Sequence, residues 1–400
     1  MAVATAPSES PVVDRWSRSA TVAVFFTHGL LFASWTAHIP QIKTHLDLTD
    51  GGLGLALLGA PLGSVSAMLV STRLLPRFGS KKMVRACLLG YCAAGPIVGL
   101  VGSLPALFTV LFVWGAFQGA LDVSMNTQAV AVERAGARPL MSGFHACWSI
   151  GTLSGAGIGA LGVAIGLSLA PQQLLLAIPA LAISGWLTTR MIPDAAPRRG
   201  SQAVERRIRR ISTPVLVLGA IAFASMLCEG ASADWASVYL HGAPLHTSPA
   251  VAGLGYAAFT LTMVIVRLAG NRLLVRFRAR SILPVLASIA TLGFTAGLLG
   301  DRTVSGIAGF ACLGVGLALI VPTVFSAAGR LPGLNPGTAI ATVSTCGWFG
   351  FVCGPPLIGQ LASLTSLPLA LGIIPLLTTG IVLSTALTPT LRVNGPGPRS

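Results

Sequence analysis

Charge is scarce in this chain. Asp, Glu, Lys and Arg make up 9% of its 400 residues, against about 25% in a soluble globular protein. Only 11 residues are acidic, and lysine is confined to Lys43, Lys81 and Lys82. Hydrophobic residues reach 53% and mean hydropathy is +0.80, which excludes a soluble domain and indicates a polytopic membrane protein. Cys87, Cys92, Cys147, Cys228, Cys312, Cys346 and Cys353 all fall inside apolar segments, so neither a disulfide framework nor a zinc spacing is present. His241 and His246, five apart in one loop, are too few for a metal site, and no metal is expected. No Gly-Lys-Ser/Thr phosphate loop occurs, the glycine rows follow no strand, and no Ser/His/acid set has supporting context. The chain therefore reads as no enzyme and as needing no cofactor. Its energy would come from an ion gradient. A cleaved signal peptide is not expected, because the first apolar run is too long for a signal core.

What is present is a succession of apolar runs. A bilayer span needs about 20 mostly apolar residues. Twelve runs qualify: 19–40, 51–75, 82–103, 105–132, 142–166, 171–192, 213–240, 249–274, 281–300, 304–327, 337–362 and 367–388. The 47 glycines and 26 prolines lie largely within them, as membrane helices tolerate. Of the 26 basic residues, all but Lys43 and Arg302 fall on one side of this topology. The positive-inside rule makes that side, with both termini, cytoplasmic. The net charge of +15 thus reflects topology, with anionic lipid as its neighbour and no nucleic acid as partner.

The chain repeats at an offset of about 200. Arg73-Leu-Leu-Pro-Arg-Phe78 recurs as Arg272-Leu-Leu-Val-Arg-Phe277, Ser34-Trp35 as Asp234-Trp235, and Cys147 and Gly151 as Cys346 and Gly350. The expected organisation is a cytoplasmic tail (1–18), a six-helix bundle (19–192), a basic linker (193–212), a second six-helix bundle (213–388) and a C-terminal tail (389–400). Two parallel repeats with a midplane site between them are a transporter architecture.

Polar residues inside the spans nominate that site. Gln118, Asp122 and Asn126 are spaced i, i+4, i+8 and form one line down the fourth span. A mid-bilayer carboxylate costs roughly 2.5–3.5 kcal/mol on insertion scales. An interhelical polar bond returns about 0.6 and at most about 1.7 kcal/mol, so a purely structural role is a poor trade for Asp122. Asn126 and Gln118 could bond a solute or serve as helix glue. On the seventh span, Glu229 and Asp234 lie about 140° apart around the helix and could share a focus only if the helix unwound, which Gly230 would permit. Asp234 could instead be a solvated residue of the outer mouth. His28 could relay a proton or be a satisfied bundle residue. Trp35 and Trp235 occupy equivalent places and could anchor at the interface or stack on a sugar-like ring. Arg267 is expected to snorkel to the inner surface.

Twelve spans in two halves, with a basic turn after spans 2 and 8, resemble the major facilitator superfamily. Thr72 to Lys81 matches its span 2–3 signature at Leu74, Arg77, Phe78, Gly79 and Lys81, but has Pro76 at the acidic position. Gln118-Gly119 with Glu133 and Arg138 resembles the span 4 signature, with Gly115 where an arginine is usual. Asp122-Val-Ser-Met-Asn-Thr-Gln-Ala129, Phe144-His-Ala-Cys-Trp-Ser149 and Gly255-Tyr-Ala-Ala-Phe259 resemble the MosC-like subgroup of bacterial permeases, associated with inositol-like compounds. The resemblance implies an all-α bundle in a bacterial inner membrane, a central path lined by helices 1, 4, 7 and 10, and a cytoplasmic gate at Arg73, Arg77, Gly79, Arg272 and Arg276. It implies a monomeric secondary transporter that moves a sugar-, cyclitol- or amino-sugar-like solute with protons by alternating access. A proton-driven exporter of a drug or secondary metabolite and a non-transporting membrane receptor remain as alternatives.

Overall fold

The computed structural model describes residues 15–136, 140–193, 213–277, 279–331 and 336–387. Nearly all of the expected linker, the C-terminal tail and residues 1–14 lie outside these. Sixteen α-helices account for the described chain: α1 (Arg15–Ser34), α2 (Ile39–His45), α3 (Asp50–Leu57), α4 (Gly59–Phe78), α5 (Ser80–Val98), α6 (Leu104–Gly136), α7 (Met141–Ala164), α8 (Leu169–Leu187), α9 (Thr213–His241), α10 (Pro249–Arg276), α11 (Ala279–Leu299), α12 (Thr303–Leu317), α13 (Ile320–Ala328), α14 (Pro336–Leu364), α15 (Leu367–Leu371) and α16 (Ile373–Leu387).

They form twelve spans, four of them broken. The breaks fall between α1 and α2, α3 and α4, α12 and α13, and α15 and α16. Each has a proline shortly downstream: Pro40, Pro61, Pro322 and Pro375. Proline lacks an N–H and its ring crowds the carbonyl four residues back, here Thr36, Leu57, Ala318 and Leu371, which lie at or beside the breaks. Proline alone does not decide it, since Pro76, Pro96, Pro179, Pro284, Pro355 and Pro356 sit inside continuous helices. Eleven spans are long and apolar along their length. The twelfth, α5, carries Lys81, Lys82 and Arg85 in its first two turns and is apolar beyond them. Several expected boundaries move, and two have a visible cause. The first span begins at Arg15, within the segment read as a tail, because Ser17 Oγ donates to the Arg190 carbonyl (2.7 Å) and Trp16 packs edge-on against Trp186. The third ends at Val98 and not at 103, as Gly99 turns the chain tightly against Ala170.

The repeat is visible in the packing. α1 lies on α7 as α9 lies on α14, α4 on α6 as α10 on α12, and α5 on α8 as α11 on α16. Glycine rows permit the close contacts. Gly151, Gly155 and Gly159 face the backbone carbonyls of Phe26, Leu30 and Ser34, while Gly115 and Gly119 face those of Ala60 and Ser64. The halves meet where α7 crosses α10, where α3 crosses α14, and where α2 and the 3-10 turn Thr36–His38 reach α9. At the end remote from the basic links this contact is backbone to backbone: a Cβ on Gly359 would lie 2.6 Å from the Asp50 carbonyl and 2.9 Å from Gly54 Cα. Ser237 Oγ donates across it to the Thr36 carbonyl (2.7 Å), which loses its i+4 donor to Pro40 and also accepts the Ile39 N–H in the 3-10 turn.

Candidate functional site

The polar line on α6 survives as a feature of one helix face. Gln118, Asp122 and Asn126 are all half-buried. Asn126 Nδ2 donates to the Asp122 carbonyl (2.8 Å) and to Asp122 Oδ1 (3.2 Å). No cation pairs with Asp122; the ion pairs among the described residues are Lys43–Asp50 (2.6 Å) and Arg267–Glu229 (3.8 Å). Asp122 is thus an intramembrane carboxylate held by one amide of its own helix and otherwise open.

His28 sits behind this face and is 4% exposed. Trp148 Nε1 donates to His28 Nδ1 (2.8 Å), which places the ring proton on Nε2, 3.4 Å from the Gln118 carbonyl. The ring stacks on Tyr91 (5.5 Å), Tyr91 stacks on Trp114 (5.2 Å), and Trp114 meets Trp35 edge-on (5.8 Å). Both His28 nitrogens are therefore engaged in the bundle. Trp35 and Trp235 are 4% and 0% exposed, and both belong to the buried core.

The second half departs from the sequence expectation at three points. Arg267 does not snorkel. Its Nε donates to the Ala318 carbonyl (3.2 Å), and one terminal nitrogen lies 3.8 Å from Glu229. Ala318 is four residues before Pro322, so its carbonyl has no helical N–H to accept, and the guanidinium supplies one. Gly230 does not unwind the seventh span. α9 is continuous from Thr213 to His241, and a Cβ at Gly230 would lie 2.8 Å from the Phe351 ring, so this glycine makes room for α14. Glu229 and Asp234 consequently keep different directions on one unbroken helix. Glu229, Arg267 and Tyr256 line one narrow cleft with Trp148, Ser149 and Thr152 of the first half, and its open space of about 10 Å³ holds no more than about one water.

At the basic end, Arg73, Arg77, Arg272 and Arg276 are exposed, and none makes an ion pair among the described residues. Gly79 has φ +77° and joins α4 to α5, a left-handed turn that suits glycine. Glu133 accepts the backbone N–H groups of Leu140 (2.6 Å) and Met141 (2.8 Å), capping α7. Among the described residues no group of His, Cys, Asp and Glu could hold a metal ion. Trp148, Tyr91 and Tyr256 were not legible as site residues, and the pairing of Arg267 with Glu229 was not either. The one signal that could have found that pairing is Pro322, which announces an unpaired carbonyl on the neighbouring span.

Twelve membrane helices in two like bundles, with polar groups gathered between them, define a membrane transport protein. The sequence profile of the Major Facilitator Superfamily matches residues 20–332, and the chain belongs to that family. It is 32% identical over 347 residues to the membrane protein MosC of Rhizobium meliloti, covering 87% of this chain and 84% of that one. Among solved structures it resembles the nucleoside transporter NupG (TM-score 0.73, 12% identity, 93% of this chain and 98% of that one). It also resembles a D-xylose–proton symporter (TM-score 0.71, 13% identity, 94% and 99%). These two likenesses establish the fold.

Proposed function

We propose that this chain is a secondary active transporter that carries a small hydroxyl-rich solute, of sugar or cyclitol kind, together with protons. The observation that carries the reading is Asp122: half-buried within a membrane span and, among the described residues, without a cation and bonded only to Asn126 of its own helix. A carboxylate so placed can gain and lose a proton as water reaches it from one side and then the other. Gln118 and Asn126 on the same face offer amides to hydroxyl groups. The proteins of like fold named above are a nucleoside transporter and a D-xylose–proton symporter. Free carboxylates on both halves would favour an amine-bearing solute, but Arg267 offsets Glu229 and removes half of that attraction.

The cycle is alternating access, with the halves rocking about the site. The seal at Gly54, Gly359 and Ser237 would be the closed outer gate, and both termini would be cytoplasmic. Flux into proteoliposomes tests the coupling. Asp122→Asn should abolish accumulation driven by an imposed pH gradient while solute exchange down its own gradient persists. Wild-type accumulation in that variant would sink the reading.

A further inference from the structure

We propose that the transported solute bears a single carboxylate, gripped by Arg267 when α7 and α10 part and the narrow cleft between them widens. The inference rests on the transporter reading above and names the chemistry of its cargo. Arg267 is the basic residue on the wall of this cleft, and its planar fork is only partly used. Nε is fixed on the Ala318 carbonyl (3.2 Å), which orients the guanidinium. Its terminal nitrogens come no nearer to Glu229 than 3.8 Å, beyond hydrogen-bond length, and the side chain keeps 26% of its exposure. A charge held inside a membrane span and left with donors unspent is costly unless a ligand completes it.

The surroundings choose the ligand. Across the cleft lie the Trp148 ring and the Ser149 and Thr152 hydroxyls of α7; their hydrogens are spent on the His145 and Ser149 carbonyls, so they present acceptor oxygens to the hydroxyl groups of a solute. Tyr256 on α10 lines the same cleft. A guanidinium binds a carboxylate through two parallel N–H bonds. Glu229 already offsets the one permanent cation of the cleft, so a monoanion is the most it can hold through the unspent guanidinium donors, and a dianionic phosphate would face repulsion that Arg267 cannot offset. Carried with one proton on Asp122, such a solute crosses with no net charge. The cargo class is a sugar acid.

The test uses the purified full chain and three probes: gluconate, myo-inositol and glucosamine. Calorimetric titration should show gluconate binding to wild type, with affinity on the order of ten- to hundredfold weaker in Arg267→Gln. Arg267→Lys, which keeps the charge and loses the fork, should fall between. Glu229→Gln, which removes the competing anion, should bind gluconate more tightly than wild type; an Arg267 that merely braced the helices would not produce that gain. Gluconate that fails to bind wild type, or binds Arg267→Gln equally well, overturns the proposal. Proteoliposome flux separates the two readings. Uptake of myo-inositol or glucosamine without gluconate binding overturns the sugar-acid cargo and leaves the transporter. Gluconate that binds and is never moved overturns the transporter and leaves the anion site.

Discussion

Trp148 shows what one hydrogen bond does in this interior. Its indole N–H is the donor that meets His28 Nδ1, on a histidine 4% exposed. Trp148→Phe keeps most of the ring and removes the donor, leaving Nδ1 an unpaired buried acceptor at a cost of about 1–3 kcal/mol. The expected outcome is a lower thermal midpoint in detergent, and an unchanged midpoint would show that His28 finds another donor. Asp122 differs in that its one side-chain partner, Asn126, lies on its own helix, so the pair adds little to packing between helices. Asp122→Asn should accordingly cost little stability while removing proton-driven accumulation. A large drop in thermal midpoint would mark Asp122 as structural. His28, with both nitrogens engaged, fits the satisfied bundle residue better than a relay.

Among the elements, α7 presents two faces with opposite tolerance. Gly155 abuts the Leu30 carbonyl of α1, whereas Gly157 has nothing within 4 Å of where a Cβ would stand. Gly155→Leu would force α1 and α7 apart, and overpacking of this kind costs about 1–3 kcal/mol or more. Gly157→Leu should be close to neutral. The measurement is the difference between the two thermal midpoints, and equal midpoints would contradict the α1–α7 geometry. Proline acts at the same scale. Pro40 and Pro322 each remove the i+4 donor of a carbonyl, and in both places a side chain from a neighbouring span bonds that carbonyl: Ser237 at Thr36, which also accepts from Ile39, and Arg267 at Ala318. The first of these bonds joins the two halves and the second orients the one intramembrane guanidinium of the cleft. Helix breaks in this chain thus double as attachment points.

For the whole molecule, alternating access requires that the outer seal open. A Cβ at Gly253 would stand 3.0 Å from the Ala37 Cβ and 2.8 Å from the Ala160 Cβ, so a shift of α10 by under an ångström that relieves Ala160 also brings the pair to the span of a disulfide. Ala37→Cys with Gly253→Cys, in a chain freed of its seven native cysteines, should cross-link the halves and stop net flux, and a reductant should restore it. Undiminished flux in the oxidised protein would mean that this seal does not open in the cycle.

The sequence by itself determined the class, the twelve spans, the repeat and the polar line on the fourth helix. Each follows from local composition or periodicity: apolar runs of bilayer length, arginines sorted to one side, and Gln118, Asp122 and Asn126 in step with the helical period. Only the tertiary structure decided what those groups meet. Arg267 reads in sequence like a residue that should reach for the nearest water. Its fate was set by a carbonyl on another span, orphaned by a proline 55 positions further along the chain, and by Glu229 on a third. Gly230 offered a flexible backbone, yet the Phe351 ring claimed the space beside it for packing. Composition sorts a residue by its cost in lipid, but partners that repay the cost come from distant segments, and their approach is fixed by how the helices pack.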